Sequence, residues 1–241
     1  MKVIVPMAGR GSRFADKGFQ TPKPLIEVNG QPMVLRALKS IEEMEVSEII
    51  FVLLRDHEEH FQASELIRRH VCHPLSFIYL DEITEGQLCT VMAAKEKFEG
   101  KEDLLIIASD TYVESSLATD IRQNRSHCAG LISVMNMPGD RWSFVKTDAG
   151  GKAVEVAEKN RISDLASTGI YYFSNGKQFL RYASEIIDNH EKTRGEYYVI
   201  PVYQKMINDG LTIKVSHATS MWDMGTPEVK KAYENYLKGI G

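Results

Sequence analysis

Apolar and polar positions come in blocks along the chain, and the blocks change period. Lys2-Val-Ile-Val-Pro6 is a short continuous apolar run, which predicts a buried strand. A polar, glycine-rich stretch follows from Ala8 to about Thr21. Val34, Leu38, Ile41 and Met44 then recur at helical spacing with Ala37 on the same side, predicting an amphipathic helix. Glu48 to Leu54 reads as a second buried strand, residues 57–70 as a polar helical segment, and Ser76 to Leu80 as a third strand. Leu88, Val91, Met92 and Phe98 give another helical face. Leu104-Leu-Ile-Ile-Ala108 is the strongest strand signal and runs directly into Ser109-Asp110. Alternating strands and helices with short connections predict a mostly parallel α/β sheet, whose ligands gather at the C-terminal ends of the strands.

The second half changes style. Strands are expected at 129–135, 142–147, 153–157 and 167–173, joined by Gly and Asp turns. Phe179, Leu180, Ala183 and Ile187 mark one helix, and Val202, Met206 and Ile207 mark another that Gly210 is placed to end. A strand at 212–216 leads toward Trp222-Asp223. The last helix has Thr226 as N-cap, Pro227 at its first position and Glu228 in its first turn, with Val229, Ala232, Tyr236 and Leu237 as its expected buried face.

Composition narrows the class. Of 241 residues, 43% are apolar and 26% charged, the balance of an ordinary globular chain, and the net charge of −4 lacks the basic excess a nucleic-acid face needs. No apolar run approaches the ~20 residues of a membrane helix. Cys72, Cys89 and Cys128 form no CxxC pair, so free thiols in a reducing compartment are expected rather than zinc or disulfides. The apolar run after Lys2 is cut by Pro6 and Gly9, too short for a signal-peptide core, and a cytoplasmic location is expected. His57, His60, His70 and His73 sit in a polar segment at uneven spacing and are expected at the surface. Trp142 and Trp222 are expected to pack rather than to bind a base.

The sharpest chemical signal is Met7-Ala-Gly-Arg-Gly-Ser-Arg-Phe14, followed by Pro22-Lys-Pro-Leu-Ile26. Gly9 and Gly11, directly after a strand, let backbone N–H groups approach phosphate oxygens, and Arg13 and Lys23 add two positive charges. Phe14 stands where a third glycine of a dinucleotide fingerprint would be, and no Gly-Lys-Ser/Thr follows to make a Walker loop. Prolines on both sides hold Lys23 extended.

This signature resembles that of the sugar-nucleotide pyrophosphorylases, the nucleotidyltransferases that act on sugar 1-phosphates. Leu105-Ile-Ile-Ala-Ser-Asp110 resembles the family's strand ending in a metal aspartate, and Val156-Ala-Glu-Lys159 its acceptor-holding Glu-Lys pair. Ser167-Thr-Gly-Ile-Tyr-Tyr-Phe173 resembles the glycine-containing strand under the acceptor, and Trp222-Asp-Met-Gly-Thr-Pro-Glu228 the second metal aspartate. Arg141-Trp-Ser-Phe-Val145 and Ile162-Ser-Asp-Leu-Ala166 are closer to a bacterial subgroup linked to capsule and surface-polysaccharide loci.

The resemblance implies a Rossmann-like three-layer sandwich with a mostly parallel mixed sheet. It implies one nucleotidyltransferase domain over 1–241, with a nucleotide-binding half at 1–128 and an acceptor-binding half with the C-terminal helices at 129–241. Arg13 and Lys23 would be catalytic. Met7, Ala8, Gly9, Gly11, Ser12, Gly86, Gln87 and Ser109 would hold the nucleotide, Glu158, Lys159, Thr168 and Gly169 the acceptor, and Asp110 and Asp223 a Mg²⁺ ion. Glu196-Tyr-Tyr198 is a further candidate on the acceptor side. The expected substrates are an NTP, with CTP ahead of dTTP and UTP, and a sugar 1-phosphate or another small phosphate. The fold class is compatible with a homodimer. Two competing readings are a glycosyltransferase, whose tight DxD pair is missing at Ser109-Asp110-Thr111, and an inactive nucleotide-binding homologue.

Overall fold

A computed structural model describes residues 1–239. β1 (Lys2–Pro6) enters α1 (Ser12–Ala15) through the glycine-rich loop. A hairpin of β2 (Glu27–Val28) and β3 (Gln31–Pro32) then leads to α2 (Met33–Leu38). The helix expected across Val34–Met44 is shorter than its pattern, because the chain tightens to a 3₁₀ turn at Lys39–Ile41. β4 (Glu48–Leu54) follows, then α3 (Arg55–Phe61) and α4 (Ala63–Arg68), which divide the expected 57–70 helix where Gln62 takes φ 50°. β5 (Leu75–Leu80), α5 (Gln87–Met92) and β6 (Leu104–Ile107) complete the alternating part.

β7 (Thr111–Ser115), absent from the expectations, and α6 (Leu117–Asn124) come next. β8 (Gly130–Asn136), β9 (Ser143–Thr147), β10 (Ala153–Glu158) and β11 (Leu165–Phe173) fall on the expected strands. α7 (Gly176–Asp188), α8 (Ile200–Asn208), β12 (Ile213–Asp223) and α9 (Pro227–Leu237) close the chain.

Ten strands form one sheet in the order β5-β4-β1-β6-β11-β8-β12-β7, with β9 and β10 attached through β11. Pairing is parallel from β5 to β6 and between β8 and β12, and antiparallel elsewhere. Alternation along β1 sends Val3 and Val5 to one face and Ile4 to the other, and each face has its own apolar layer. α5, α7 and α8 cover the Ile4 face, while α2, α4 and α6 cover the Val3 face. The result is the three-layer sandwich of the sequence reading. No helix among the described residues is long and apolar enough to cross a membrane.

A third, smaller cluster holds the segments that carry candidate residues. Phe14, Ile26, Val28, Met33, Met224 and Tyr233 are all buried together. Phe14 follows Arg13 and Met224 follows Asp223, so one patch of packing anchors two candidate residues from opposite ends of the chain. Tyr233 also corrects the expected face of α9: it is 1% exposed, whereas Tyr236 is 47% exposed and Ala232 is exposed. The face turns because Tyr233 packs against both Tyr112 and Trp222, at ring-centroid distances of 5.7 and 5.2 Å.

The Thr226 side chain accepts a hydrogen bond from Val229 N–H at 3.3 Å, as an N-cap should. Thr226→Ala is expected to lower stability by about 1 kcal/mol, read as a lower denaturation midpoint with unchanged slope.

Candidate active site

Strand pairing brings the candidates to one sheet edge. β1 and β6 run parallel with Lys2 opposite Leu104, so the glycine loop and Ser109-Asp110 leave the sheet side by side. Asp223 ends β12 opposite Thr111 of β7, and Met224 N–H donates to the Asp110 carbonyl at 2.8 Å. The missed strand β7 is thus what joins the two aspartates.

A cleft of about 710 Å³ opens at this edge. Ala8, Gly9, Gly11, Ser12 and Arg13 line it, as do Lys23, Gly86, Gln87, Ser109 and Asp110. Met7 does not line it: its side chain is 1% exposed and packs in the core below, because strand alternation carries it inward with Val3 and Val5, so only its main chain borders the glycine loop. Glu158, Lys159, Thr168 and Gly169 lie outside the cleft walls and join them through neighbours. Lys159 Nζ donates to Tyr198 Oη, Tyr198 Oη donates to Glu196, and both of those residues line the cleft. The Gly169 carbonyl accepts from Ala108 N–H at 3.0 Å. Thr168 Oγ1 is buried without a hydrogen-bond partner among the described residues.

Two cation–carboxylate pairs lie at this edge: Lys23 and Asp110 line the cleft, whereas Asp223, predicted as a metal residue, and its partner Arg141 lie just behind the wall at Gly225. Lys23 Nζ lies 2.6 Å from Asp110 Oδ2, and Arg141 Nη2 lies 2.9 Å from Asp223 Oδ2. Burial pushes the Asp110 carboxyl up, but the charge and hydrogen bond of Lys23, with the Thr111 hydroxyl, outweigh it and hold the group below the usual range. Asp223 goes the other way: burial and then the Asp110 charge raise it, and Arg141 only partly offsets them. Burial likewise raises Glu158, which accepts from the Ser143 hydroxyl and faces the Lys159 charge.

Gly225 shows how close the carboxylates are. A Cβ there would sit 2.8 Å from Asp223 Oδ1, 3.1 Å from Asp110 Oδ2 and 3.7 Å from Arg13 Nη1. The two oxygens therefore flank one point that glycine leaves open. Two carboxylates and no third ligating side chain suit Mg²⁺, which is held by one or two carboxylates and completes its shell with phosphate oxygens and water. Among the described residues no group of three or more His, Cys, Asp or Glu gathers elsewhere for a metal.

Sequence reasoning missed Arg141, whose partner is remote in the chain and whose own neighbourhood gives no ligand signal. It missed Arg10 as a cleft residue although it stands inside the quoted motif. His57, expected at the surface, is 7% exposed, its Nδ1 has no hydrogen-bond partner among the described residues, and its burial lowers its pKa. α3 begins directly after β4 and packs back on it, which draws the first helical turn inward. His60, His70 and His73 are exposed as expected. Trp222 packs among Tyr233 and Tyr236, while Trp142 lies under the Arg141 guanidinium at 3.9 Å.

A family model described as nucleotidyl transferase matches residues 2–234. The chain is 26% identical over its full length to the bifunctional protein GlmU of Methanococcus aeolicus, and spans 55% of that relative. It is 23% identical to the UTP–glucose-1-phosphate uridylyltransferase AglF of Haloferax volcanii, with 99% of this chain and 97% of the relative covered. Among solved structures, the nucleoside-diphosphate-sugar pyrophosphorylase of Vibrio cholerae RC9 aligns at 27% identity with a TM-score of 0.84, covering 97% of this chain and 99% of that one.

Proposed function

The chain belongs to the nucleotidyl transferase family, and from that premise we propose that it joins an NTP to a sugar 1-phosphate and releases pyrophosphate. The observation that carries this reading is the convergence of Asp110, Asp223 and Arg13 on the open point at Gly225, with Lys23 on the same cleft wall. The family match over most of the chain favours it over the glycosyltransferase reading.

In this reaction an acceptor phosphate oxygen attacks the α-phosphorus, and the bond to the departing pyrophosphate breaks. The acceptor is already anionic near neutral pH, so no general base is required. The obstacle is repulsion: two unit charges ~4 Å apart cost about 4 kcal/mol at an effective dielectric of 20. Lys23 bridges the phosphates of nucleotide and acceptor. Arg13 takes up charge on the departing pyrophosphate. Gly9, Gly11 and Ser12 offer main-chain donors to the triphosphate, and Gly86 and Gln87 border the base. Lys159 holds the acceptor phosphate, and Glu158 accepts from an acceptor hydroxyl. Asp110 and Asp223 would hold a divalent cation, which would supply neutralisation of the phosphate charge when bound.

Residues 1–128 serve the nucleotide and 129–241 mainly the acceptor. UTP stands ahead of CTP, because the relative that this chain nearly spans is named for UTP and glucose 1-phosphate. The likeness of Arg141–Val145 and Ile162–Ala166 to the surface-polysaccharide subgroup supports a sugar nucleotide destined for such a polymer.

Pyrophosphate release tests the proposal. UTP, CTP, dTTP, ATP and GTP are each paired with hexose 1-phosphates and with choline phosphate in the presence of Mg²⁺. UTP with a hexose 1-phosphate is expected to give the highest rate. Silence across the panel, together with sugar transfer from a preformed UDP-sugar, would overturn it in favour of a glycosyltransferase.

A further inference from the structure

We propose that Arg141 is a positioning residue that turns the Asp223 carboxylate so that one oxygen faces Asp110. This inference rests on the metal reading given under Proposed function. The two oxygens of Asp223 are divided between two partners. Oδ2 is ion-paired with Arg141 Nη2 at 2.9 Å, and Oδ1 accepts from Gly225 N–H at 3.1 Å. Oδ1 is the oxygen that borders the open point shared with Asp110 Oδ2. Arg141 therefore occupies the far oxygen and leaves the near one for the ion. Carboxylates that bind metals are commonly held in this way by a second partner.

The guanidinium is itself fixed. It stacks on the Trp142 ring at 3.9 Å, and Trp142 Nε1 donates to the Pro138 carbonyl at 3.0 Å. Arg161 clamps the same turn by donating to the Met137 carbonyl at 2.9 Å and the Gly139 carbonyl at 2.5 Å. The Trp142 carbonyl accepts from Lys159 N–H at 2.9 Å. One braced turn thus carries the side chain that orients Asp223 and supports the backbone of Lys159 on the acceptor side. A lysine at this position would lack the planar fork and the stacking surface.

The sign of the effect on metal affinity separates positioning from charge. By charge alone, removing a cation beside two carboxylates tightens the binding of a divalent ion. Positioning predicts the reverse. Mn²⁺ is titrated into nucleotide-free protein and the free ion followed by electron paramagnetic resonance. R141A is expected to bind Mn²⁺ about tenfold or more weakly. W142L keeps the guanidinium and the net charge but removes its platform, and is expected to bind about threefold more weakly. Affinity in R141A equal to or tighter than that of the unmodified protein overturns the proposal, as does unaltered affinity in W142L. W142L also carries the test if R141A does not fold. Asp110→Asn and Asp223→Asn are run alongside. If both bind Mn²⁺ as the unmodified protein does, the metal reading of the cleft fails, whatever R141A shows.

Discussion

Lys23→Ala is expected to reduce nucleotidyl transfer by about a thousandfold, with most of the loss in kcat rather than in KM. The segment between the two prolines is not extended as expected: Lys23 opens a 3₁₀ turn at Lys23–Leu25, which Pro24 tolerates near its start and whose Pro24 and Leu25 are buried. The Lys23 side chain is thus delivered to the cleft by a segment with little freedom. Its ammonium already sits 2.6 Å from Asp110, beside the point where the carboxylates meet. Removing it takes away one preorganised charge, a loss on the order of 3–4 kcal/mol where charge develops in a water-poor site. A second cost follows. Lys23 is the largest of the groups that offset burial at Asp110, ahead of the Thr111 hydroxyl, so alanine raises the pKa of that carboxyl. Steady-state pyrophosphate release, measured with each substrate varied in turn, checks the claim. A variant retaining more than a tenth of the turnover would remove Lys23 from the chemistry. Lys159→Ala should differ in kind, with its main effect on the acceptor KM.

Much of the architecture was legible because the core strands are continuous apolar runs with turn residues on either side. β1 and β4 fall on their expected residues, and the Thr226-Pro227 start of α9 is a local signal that needs no partner. β7 was not legible. Thr111–Ser115 is short, and its stability comes from pairing with β12, a strand remote in sequence. The buried face of α9 was misread for the same reason. Its apolar positions allow two faces, and the aromatic rings of Tyr112 and Trp222 select the one with Tyr233. In the site, the loop residues and both aspartates were visible as motifs. Arg141 was not, because an exposed arginine in a turn looks like any solvated charge until the fold sets Asp223 beside it. Sequence patterns report what a residue needs locally, and long-range pairs are decided by strand order.

Gly86→Ala is expected to be the most damaging single methyl addition in the cleft wall. Gly86 has φ 140° and ψ 175°, a region that side-chain-bearing residues essentially do not enter. A Cβ there would lie 2.4 Å from the Tyr197 carbonyl oxygen and 2.5 Å from its nitrogen. Both are main-chain atoms of a segment that cannot turn aside as a long side chain could. Two hydrogen bonds hold the approach: Tyr197 N–H to the Glu85 carbonyl at 2.9 Å, and Leu88 N–H to the Tyr197 carbonyl at 3.1 Å. Relief of the clash must break at least one of them. Strain and lost bonds together predict a loss of roughly 3 kcal/mol or more. The damage is also functional, because the contact joins two cleft walls, Glu85–Gln87 on one side and Glu196 with Tyr198 on the other. Gly9→Ala supplies the contrast. Its Cβ would meet nothing within 4 Å, so stability should stay within about 0.5 kcal/mol while nucleotide binding weakens, the methyl group now standing where phosphate would approach. Denaturant midpoints and nucleotide titrations on both variants distinguish the cases. Equal stability in the two proteins would mean that the Gly86–Tyr197 contact does not hold the cleft together.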